Sequence, residues 1–117
     1  MVSEVDDVYG SPTAEELLQA VREWLERELV AEGTGRQRFD ARVAANVLAI
    51  VERELAHGDR HRRRHAERLA SLGITDDRTL AALIRSGDAD HRLAEIAATV
   101  GETVADRLAV DDPGYPT

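Results

Sequence analysis

One stretch, FDARVAANVLAIVEREL at residues 39–55, constrains the fold more than any other part of the chain. Its apolar residues recur every three or four positions, which is the spacing that places side chains on one face of an α-helix. That face is formed by Phe39, Val43, Val47, Ile50 and Val51, and much of the opposite side is alanine. A helix that is apolar or small nearly all round is usually packed by neighbours on several sides, and alanines let another helix approach closely. The stretch therefore predicts a central helix in a helical bundle.

Composition supports the same fold class. Only 3 % of the residues are aromatic, while alanine, leucine and valine are plentiful, and this mixture favours helices over sheets. The 117 residues suit one domain with one core. We therefore predict an all-α, single-domain helical bundle of about five helices with the second helix central. Residues 1–11 are predicted to form a flexible N-terminal arm and residues 12–117 the helical domain. Its core is predicted to bury together Trp24, Val47, Ile50, Val100 and Val104.

Local signals predict where the helices begin and end. Thr13 followed by Glu16 is a capping box, which predicts a first helix directly after it. A second helix is predicted from about Arg38 to His57, with Gly58 as the residue that ends it. Further signals predict a third helix capped by Asp59 and ended by Gly73 with an apolar contact from Ile74, a fourth capped by Asp76 or Asp77 and ended by Gly87, and a fifth capped by Asp90.

Polar residues interrupt the second predicted helix. Arg42, Asn46 and Arg53 fall in one narrow stripe beside the apolar face, and Glu54 projects into that face. One interpretation is a structural network in which Glu54 is partly buried and paired with an arginine, Arg107 being the first choice, because an unpaired buried polar group is destabilising by roughly 1–3 kcal/mol. The other is a surface for a partner or an anion, with Arg42 and Arg53 as cations and Asn46 between them. A catalytic role is disfavoured, because arginines stay protonated and no pair of nucleophile and base is apparent.

The third predicted helix and the residues just before it carry a cluster of positive charge. They carry five arginines and three histidines: His57, Arg60, His61, Arg62, Arg63, Arg64, His65 and Arg68. The cluster is either a solvated face lying against the acidic rest of the chain or a site for phosphates or acidic side chains, which guanidinium groups bind well. The candidate anion or partner contacts are Arg60, Arg63, Arg64 and Arg68. The i, i+4 spacing of His61 and His65 suits a metal pair, but the arginines repel a dication and no third ligand is evident, so no metal site is predicted.

The neighbours of these arginines decide between the two interpretations. We expect the four candidate arginines to be mostly exposed, with the packed side of the helix formed by Ala66, Leu69 and Leu72. The fifth predicted helix offers acidic residues on its polar side: Glu95, Glu102 and Asp106. If these carboxylates lie against the arginines, the cluster is internally neutralised; if they lie far away, it is free to meet an acidic partner or a phosphate.

Charge and composition exclude several classes of function. The chain has no cysteine, all 15 basic residues are arginine, and the net charge is −8. Thiolate and lysine chemistry are therefore excluded, and general affinity for nucleic acid or an anionic membrane is not expected. No apolar run approaches the ~18 residues of a membrane span, and the N-terminal residues lack the basic start and apolar core of a signal peptide. We expect a cytoplasmic protein that uses no cofactor.

Three segments together carry a resemblance to a known family. They are LLQAVREWLERELV, then after a short gap RFDARVAANVLAIVEREL, and finally VADRLAVDDPGY, and the most specific part is RVAANVLAIVEREL. The pattern resembles a small bacterial domain family of uncharacterised function. Members of that family look like companions of aminoglycoside-phosphotransferase-like kinases, with genes beside such a kinase and beside acyl-CoA dehydrogenases. The resemblance implies an accessory subunit of a hydroxyacyl-CoA kinase, with the catalytic residues in the kinase.

Three function classes follow from these observations. The first is a non-catalytic accessory subunit of a phosphotransferase-like kinase that acts on hydroxyacyl-CoA substrates. The second is a small-molecule binding module for CoA-type anions such as acyl-CoA, without a kinase partner. The third is an enzyme that uses the polar residues of the second helix, although we expect no catalysis by the isolated chain.

Overall fold

The computed structural model describes residues 10–116, and every regular element among them is helical. The α-helices are α1 (Ala14–Trp24), α2 (Gly35–Ser71), α3 (Asp77–Ser86) and α4 (Leu93–Asp111). A π-helical turn, Leu25–Val30, follows α1, and a 3₁₀ turn, Asp90–Arg92, precedes α4. The predicted all-α fold is confirmed, with four α-helices in the described part of the chain where about five were expected. Most of the predicted N-terminal arm, residues 1–9, lies outside the described residues.

The chain groups into two compact units. The first ends at Ala56 and the second begins at His57. Helix α2 runs through this boundary and contributes residues 35–56 to the first unit and residues 57–71 to the second. Each unit has its own packing and its own polar contacts.

The first unit begins with the predicted capping box. The Glu16 amide donates to Thr13 Oγ1 (3.2 Å), and the Thr13 amide donates to Glu16 Oε1 (3.1 Å). A second box starts α2: the Gln37 amide donates to Thr34 Oγ1 (3.3 Å), and the Thr34 amide donates to Gln37 Oε1 (2.9 Å). The sequence signal for this box is a threonine followed three residues later by a glutamine, and this signal was missed. Because of this cap, α2 begins three residues before the predicted start near Arg38.

Helix α2 does not end at Gly58, so the prediction of two separate helices here was wrong. Gly58 lies inside a single helix of 37 residues and, unlike Gly73, does not have a positive φ. A glycine inside a helix is destabilising by only about 1 kcal/mol relative to alanine, which neighbouring helical residues can offset. Asp59 caps nothing; its Oδ1 accepts a hydrogen bond from Arg62 Nη2 (2.6 Å).

The packed side of α2 in the first unit is the alanine side. Ala41 and Ala45 are only 3 % and 6 % exposed, whereas Phe39 and Val47 are 64 % and 52 % exposed. Arg22 of α1 contacts Glu52 on this side of α2, and the large apolar residues on the other side are exposed to solvent. The predicted common core was therefore wrong, since three of its five members are about half exposed: Trp24, Val47 and Val104.

The second unit contains the larger apolar core. Its buried members come from the end of α2 and from α3, α4 and their connections: Leu69, Leu72, Ile74, Leu80, Ala89 and Ile96, with Leu83 and Val100 packed against them. The predicted Schellman motif at Gly73 is confirmed: the Gly73 amide donates to the Ala70 carbonyl (2.9 Å) and the Ile74 amide to the Leu69 carbonyl (2.9 Å). Ile74 and Leu69 are both buried, as the apolar contact of this motif requires.

Helices α3 and α4 differ in how they begin. Asp76 caps α3 by accepting from the Thr79 amide (2.7 Å), and Gly87 ends it with a φ of 82°; both features were predicted. Asp90 was expected to cap the last helix but lies in the 3₁₀ turn instead, and Arg92 occupies the N-cap position of α4 without a side-chain hydrogen bond.

Candidate functional site

The first unit contains a groove of about 310 Å³ that is open to solvent. It is lined by Arg22, Glu26 and Val30 from α1 and the π-helical turn, and by Arg42, Ala45, Asn46 and Ala49 from α2. The groove exists because alanines at positions 45 and 49 leave room that larger side chains would fill. Two of the sequence candidates, Arg42 and Asn46, are therefore brought together at one concave surface.

Arg22 is held rigidly on one side of the groove. Its Nε donates to Glu52 Oε2 (2.6 Å) and its Nη2 to Glu52 Oε1 (3.3 Å), which makes a two-point contact, while Nη1 donates to Glu26 Oε1 (2.9 Å). The hydrogen bond to Glu52, followed by that to Glu26, raises the pKa of Arg22. With two carboxylates on one guanidinium, this side of the groove carries no unbalanced positive charge.

Arg42 and Asn46 are differently placed. They lie four residues apart on α2, so they project from the same side of the helix, and both are exposed. Neither forms an ion pair or a side-chain hydrogen bond with residues 10–116. An arginine and an amide side by side can together bind a carboxylate or a phosphate oxygen, the guanidinium by two parallel hydrogen bonds and the amide by a third. Arg53, the third member of the predicted stripe, is half-buried and does not line the groove.

Glu54 does not behave as predicted. It is exposed, so the expectation of partial burial was wrong. Glu52, two residues earlier, is the carboxylate held in the helix contact, with its side chain 18 % exposed. Arg107, the expected partner of Glu54, donates from Nε to Asp111 Oδ2 (2.6 Å) within α4; its pairing with Glu54 remains a prediction.

In the second unit, acidic residues of α4 lie against part of the arginine cluster. Arg68 contacts Glu102 Oε2 (3.2 Å) and Asp106 Oδ2 (3.0 Å), and Arg64 Nη1 lies 3.3 Å from Asp106 Oδ1. The side chains of Arg68 and Asp106 are only 17 % and 16 % exposed, so the expectation that Arg68 is mostly exposed was wrong. Burial alone would raise the pKa of Asp106, but the hydrogen bond and charge of Arg68, with the charges of His61 and Arg64, lower it below its usual value. Arg64 and Arg68 are thus neutralised within the unit and serve its structure.

His65 connects three helices rather than forming a metal pair. Its Nδ1 lies 2.9 Å from Thr103 Oγ1 on α4, and its Nε2 lies 2.6 Å from Asp77 Oδ1 on α3. His61 instead stacks on His57, with ring centroids 6.0 Å apart. Nothing in the sequence pattern indicated the His65 contacts, because they depend on how α3 and α4 fold back onto α2.

The remaining arginine candidates, Arg60 and Arg63, are exposed as predicted, and Arg64 is too. Arg60 Nη2 lies 3.1 Å from His57 Nδ1, and Arg63 forms no ion pair with the described part of the chain. Glu95, expected near the cluster, pairs with Arg92 (3.2 Å). On the packed side of this helical segment, Leu69 and Leu72 are buried, but Ala66 is exposed, which corrects the prediction for that residue.

A further surface in the second unit is apolar. Leu93, Ala97 and Val104 are spaced to lie on one side of α4, and all are exposed, Leu93 by 43 % and Val104 by 50 %. Gly101 lies between Ala97 and Val104 along the helix and is also exposed, and as a glycine it has no side chain to project from that position. We call these residues the α4 stripe: Leu93, Ala97, Gly101 and Val104. The sequence assigned Val104 to the core, and the structure places it on a flat apolar surface.

Comparisons with known proteins bear on the family but not on a ligand. Within residues 10–116, no helix is long and apolar enough to span a membrane. Searches among curated proteins and among solved structures each found no match. The family model described as "Domain of unknown function (DUF6285)" matches residues 31–115, which is well over half of the chain. The chain therefore belongs to the DUF6285 family.

Proposed function

We propose that this protein is a cytoplasmic, non-catalytic accessory subunit of an aminoglycoside-phosphotransferase-like kinase that acts on hydroxyacyl-CoA substrates. The kinase and its substrate class come from the resemblance of the sequence pattern, above all RVAANVLAIVEREL, to kinase-associated domains. The structural observation that carries the proposal is the exposed α4 stripe, which lies within the family-matched residues 31–115. The kinase in this scheme contributes the catalytic residues.

The α4 stripe has the properties of a docking surface for another protein. Leu93 and Val104 expose apolar side chains that gain free energy when removed from water, at roughly 25 cal/mol per Å². Ala97 and Gly101 keep the middle of the surface flat, so a helix or sheet of a partner could approach closely. An exposed apolar patch of this kind on a small protein is typical of a protein–protein contact.

A pull-down from native cell extract tests the proposal. Wild-type protein should retain an aminoglycoside-phosphotransferase-like kinase, identified by mass spectrometry, because the stripe is intact. Val104→Glu should lose the kinase, since a carboxylate in an apolar contact is strongly unfavourable. Ala109→Glu is the matched control: the residue is also on α4 and exposed, and it lies five residues after Val104, on a different side of the helix. A wild-type protein that retains no such kinase would contradict the proposal.

One observation favours a second candidate function, the binding of a CoA-type anion without a kinase. Arg42 and Asn46 offer hydrogen-bond donors without ion-pair partners among residues 10–116, at the edge of a groove of about 310 Å³. A groove of this volume is at the small end of ligand sites, so it would hold one end of an acyl-CoA, such as a phosphate or a carboxylate. Saturable binding of acyl-CoA to the isolated chain would support this function.

A further inference from the structure

The N-terminal half of α2 presents an apolar face that the proposed kinase contact does not use. Phe39, Val43 and Val47 follow one another at four-residue spacing and are 64 %, 47 % and 52 % exposed. They lie opposite the buried Ala41 and Ala45, and residues 10–56 leave them largely uncovered. We call these three residues the α2 face.

Charged residues stand at both ends of the α2 face. Arg36 lies one turn before Phe39, and Glu54 lies two turns after Val47, so both project on the same side of the helix. The Arg36 side chain is 87 % exposed and contacts only the 60 % exposed Asp40 at 3.2 Å. Glu54 is exposed and forms no ion pair with the described residues of its own unit, 10–56. The face therefore begins with Arg36, whose charge Asp40 partly offsets, is apolar in its middle and ends with the anionic Glu54.

This order of charges is self-complementary. In an antiparallel pair of identical helices related by a two-fold axis at position 45, Arg36 of one copy lies opposite Glu54 of the other. The same axis places Val43 opposite Val47 near the middle of the contact. One axis thus matches a charge pair and an apolar pair, each formed twice, as an isologous two-fold contact requires.

We propose that the α2 face is the interface with a second copy of this chain, packed antiparallel about position 45. The charge pattern selects this occupant: a second copy brings a carboxylate to the exposed Arg36, which contacts only Asp40 among residues 10–56, and a cation to Glu54. The two valine pairs form the apolar centre, with Phe39 beside them, and the four charged side chains form its rim.

The test uses the full-length isolated chain and sedimentation equilibrium across the micromolar range. Wild-type protein should dimerise. Val43→Glu should be monomeric, because the axis brings two introduced carboxylates against apolar side chains. Helix content should stay near wild type, since Val43 is exposed in the single chain, and the Tm should match that of wild type diluted below its dimer Kd. A wild-type monomer, or a dimer that Val43→Glu leaves intact, would overturn the proposal.

A charge exchange tests the antiparallel register and does not depend on Val43→Glu. Arg36→Glu alone and Glu54→Arg alone each create two like-charge contacts, so each should raise the dimer Kd at least about tenfold. The double variant, Arg36→Glu with Glu54→Arg, restores opposite charges and should return the Kd towards wild type. Failure of the double variant to recover would overturn the register. Because no kinase is present in these measurements, their outcome is separate from that of the kinase pull-down.

Discussion

Arg22 on α1 binds Glu52 on α2 through two hydrogen bonds, Nε to Oε2 at 2.6 Å and Nη2 to Oε1 at 3.3 Å. The side chains are 25 % and 18 % exposed, so water competes only partly for either group. This two-point contact joins residues that are 30 apart in sequence and fixes where α1 lies on the alanine side of α2. It is the principal polar link of the first unit.

Removing the carboxylate of Glu52 should destabilise the protein. Glu52→Ala leaves the Arg22 guanidinium with only the exposed Glu26, and the expected loss is about 1–3 kcal/mol in the free energy of unfolding. Glu67→Ala is the matched control and should change stability by less than about 0.5 kcal/mol, because Glu67 lies on the same helix and is exposed. Urea unfolding followed by circular dichroism measures both, and equal effects of the two substitutions would contradict the assignment.

The difference between Glu52 and Glu54 shows how far periodicity predicts this fold. The sequence pattern correctly identified a helix with a large apolar side and an alanine side. The pattern did not show which side of α2 packs against the rest of the unit. Large apolar residues gain more free energy from burial, whereas alanines allow helices to come closer, and these two effects favour opposite sides. The structure uses the alanine side in the first unit, which brings Glu52 inward and turns Glu54 outward.

Acid should weaken the contact between Arg68 and Asp106. The pKa of Asp106 is lowered in the folded protein, so the unfolded chain, with a value near 3.9 for this residue type, takes up the proton first. The contribution to stability is therefore complete above about pH 4 and is lost as pH falls further, through the folded pKa. We expect Asp106→Asn to reduce the unfolding free energy by about 1–3 kcal/mol at neutral pH and to flatten its fall below pH 4.

The comparison must separate Asp106 from the other carboxylates, since the pKa values of Asp59 and Asp76 are lowered as well, by Arg62 and by the Thr79 amide respectively. Asp88→Asn is a suitable control, because Asp88 is exposed and its side chain forms no ion pair with residues 10–116. The unfolding free energy of Asp88→Asn should change with pH as that of wild type does. If the unfolding free energy of Asp106→Asn fell with pH in parallel with that of wild type, the Arg68 contact would contribute nothing to the acid dependence.

Alanine substitutions at two glycines test whether α2 is continuous. Gly58→Ala should stabilise the protein by up to about 1 kcal/mol, because alanine is the better residue inside a helix. The nearest atoms to its new Cβ are the ends of the flexible, exposed Arg62 side chain. Gly73→Ala should destabilise by about 1 kcal/mol or more, because Gly73 has a φ of 75°, which disfavours a Cβ. Thermal unfolding measures both, and a loss of stability in Gly58→Ala would indicate that the helix ends there after all.

These two glycines also mark the limits of local signals. At Gly73 the following Ile74 supplies the buried contact that completes a Schellman motif, so sequence alone predicted the end of the helix. Gly58 is followed by Asp59, a plausible cap for a new helix, yet no apolar residue follows to complete a stop. The capping boxes at Thr13 and Thr34 are equally local and predictable. The His65 and Arg68 contacts are not, because residues 12 to 38 positions away provide their partners.

The groove yields a prediction that decides between a ligand site and a passive surface. If Arg42 and Asn46 bind an anion, acyl-CoA should bind the isolated chain saturably, with weaker affinity at high salt because the contact is exposed. Arg42→Ala should then raise the Kd about tenfold or more, the effect of losing a charge-assisted contact of roughly 1.5–3 kcal/mol, and Asn46→Ala should have a smaller effect. Isothermal titration calorimetry with acyl-CoA and with CoA alone measures these constants and shows whether the acyl chain contributes.

Arg27→Ala is the control for overall charge in that experiment. Arg27 lies on the π-helical turn, is 65 % exposed, pairs with Glu28 and does not line the groove. It removes the same charge as Arg42→Ala, so an equal loss of affinity in both variants would point to general electrostatic attraction rather than to a site. With Arg63→Ala, a second exposed arginine on α2, the affinity should also stay near wild type. If Arg63→Ala abolished binding while Arg42→Ala did not, the anion would belong to the arginine cluster of the second unit and the assignment to the groove would be wrong.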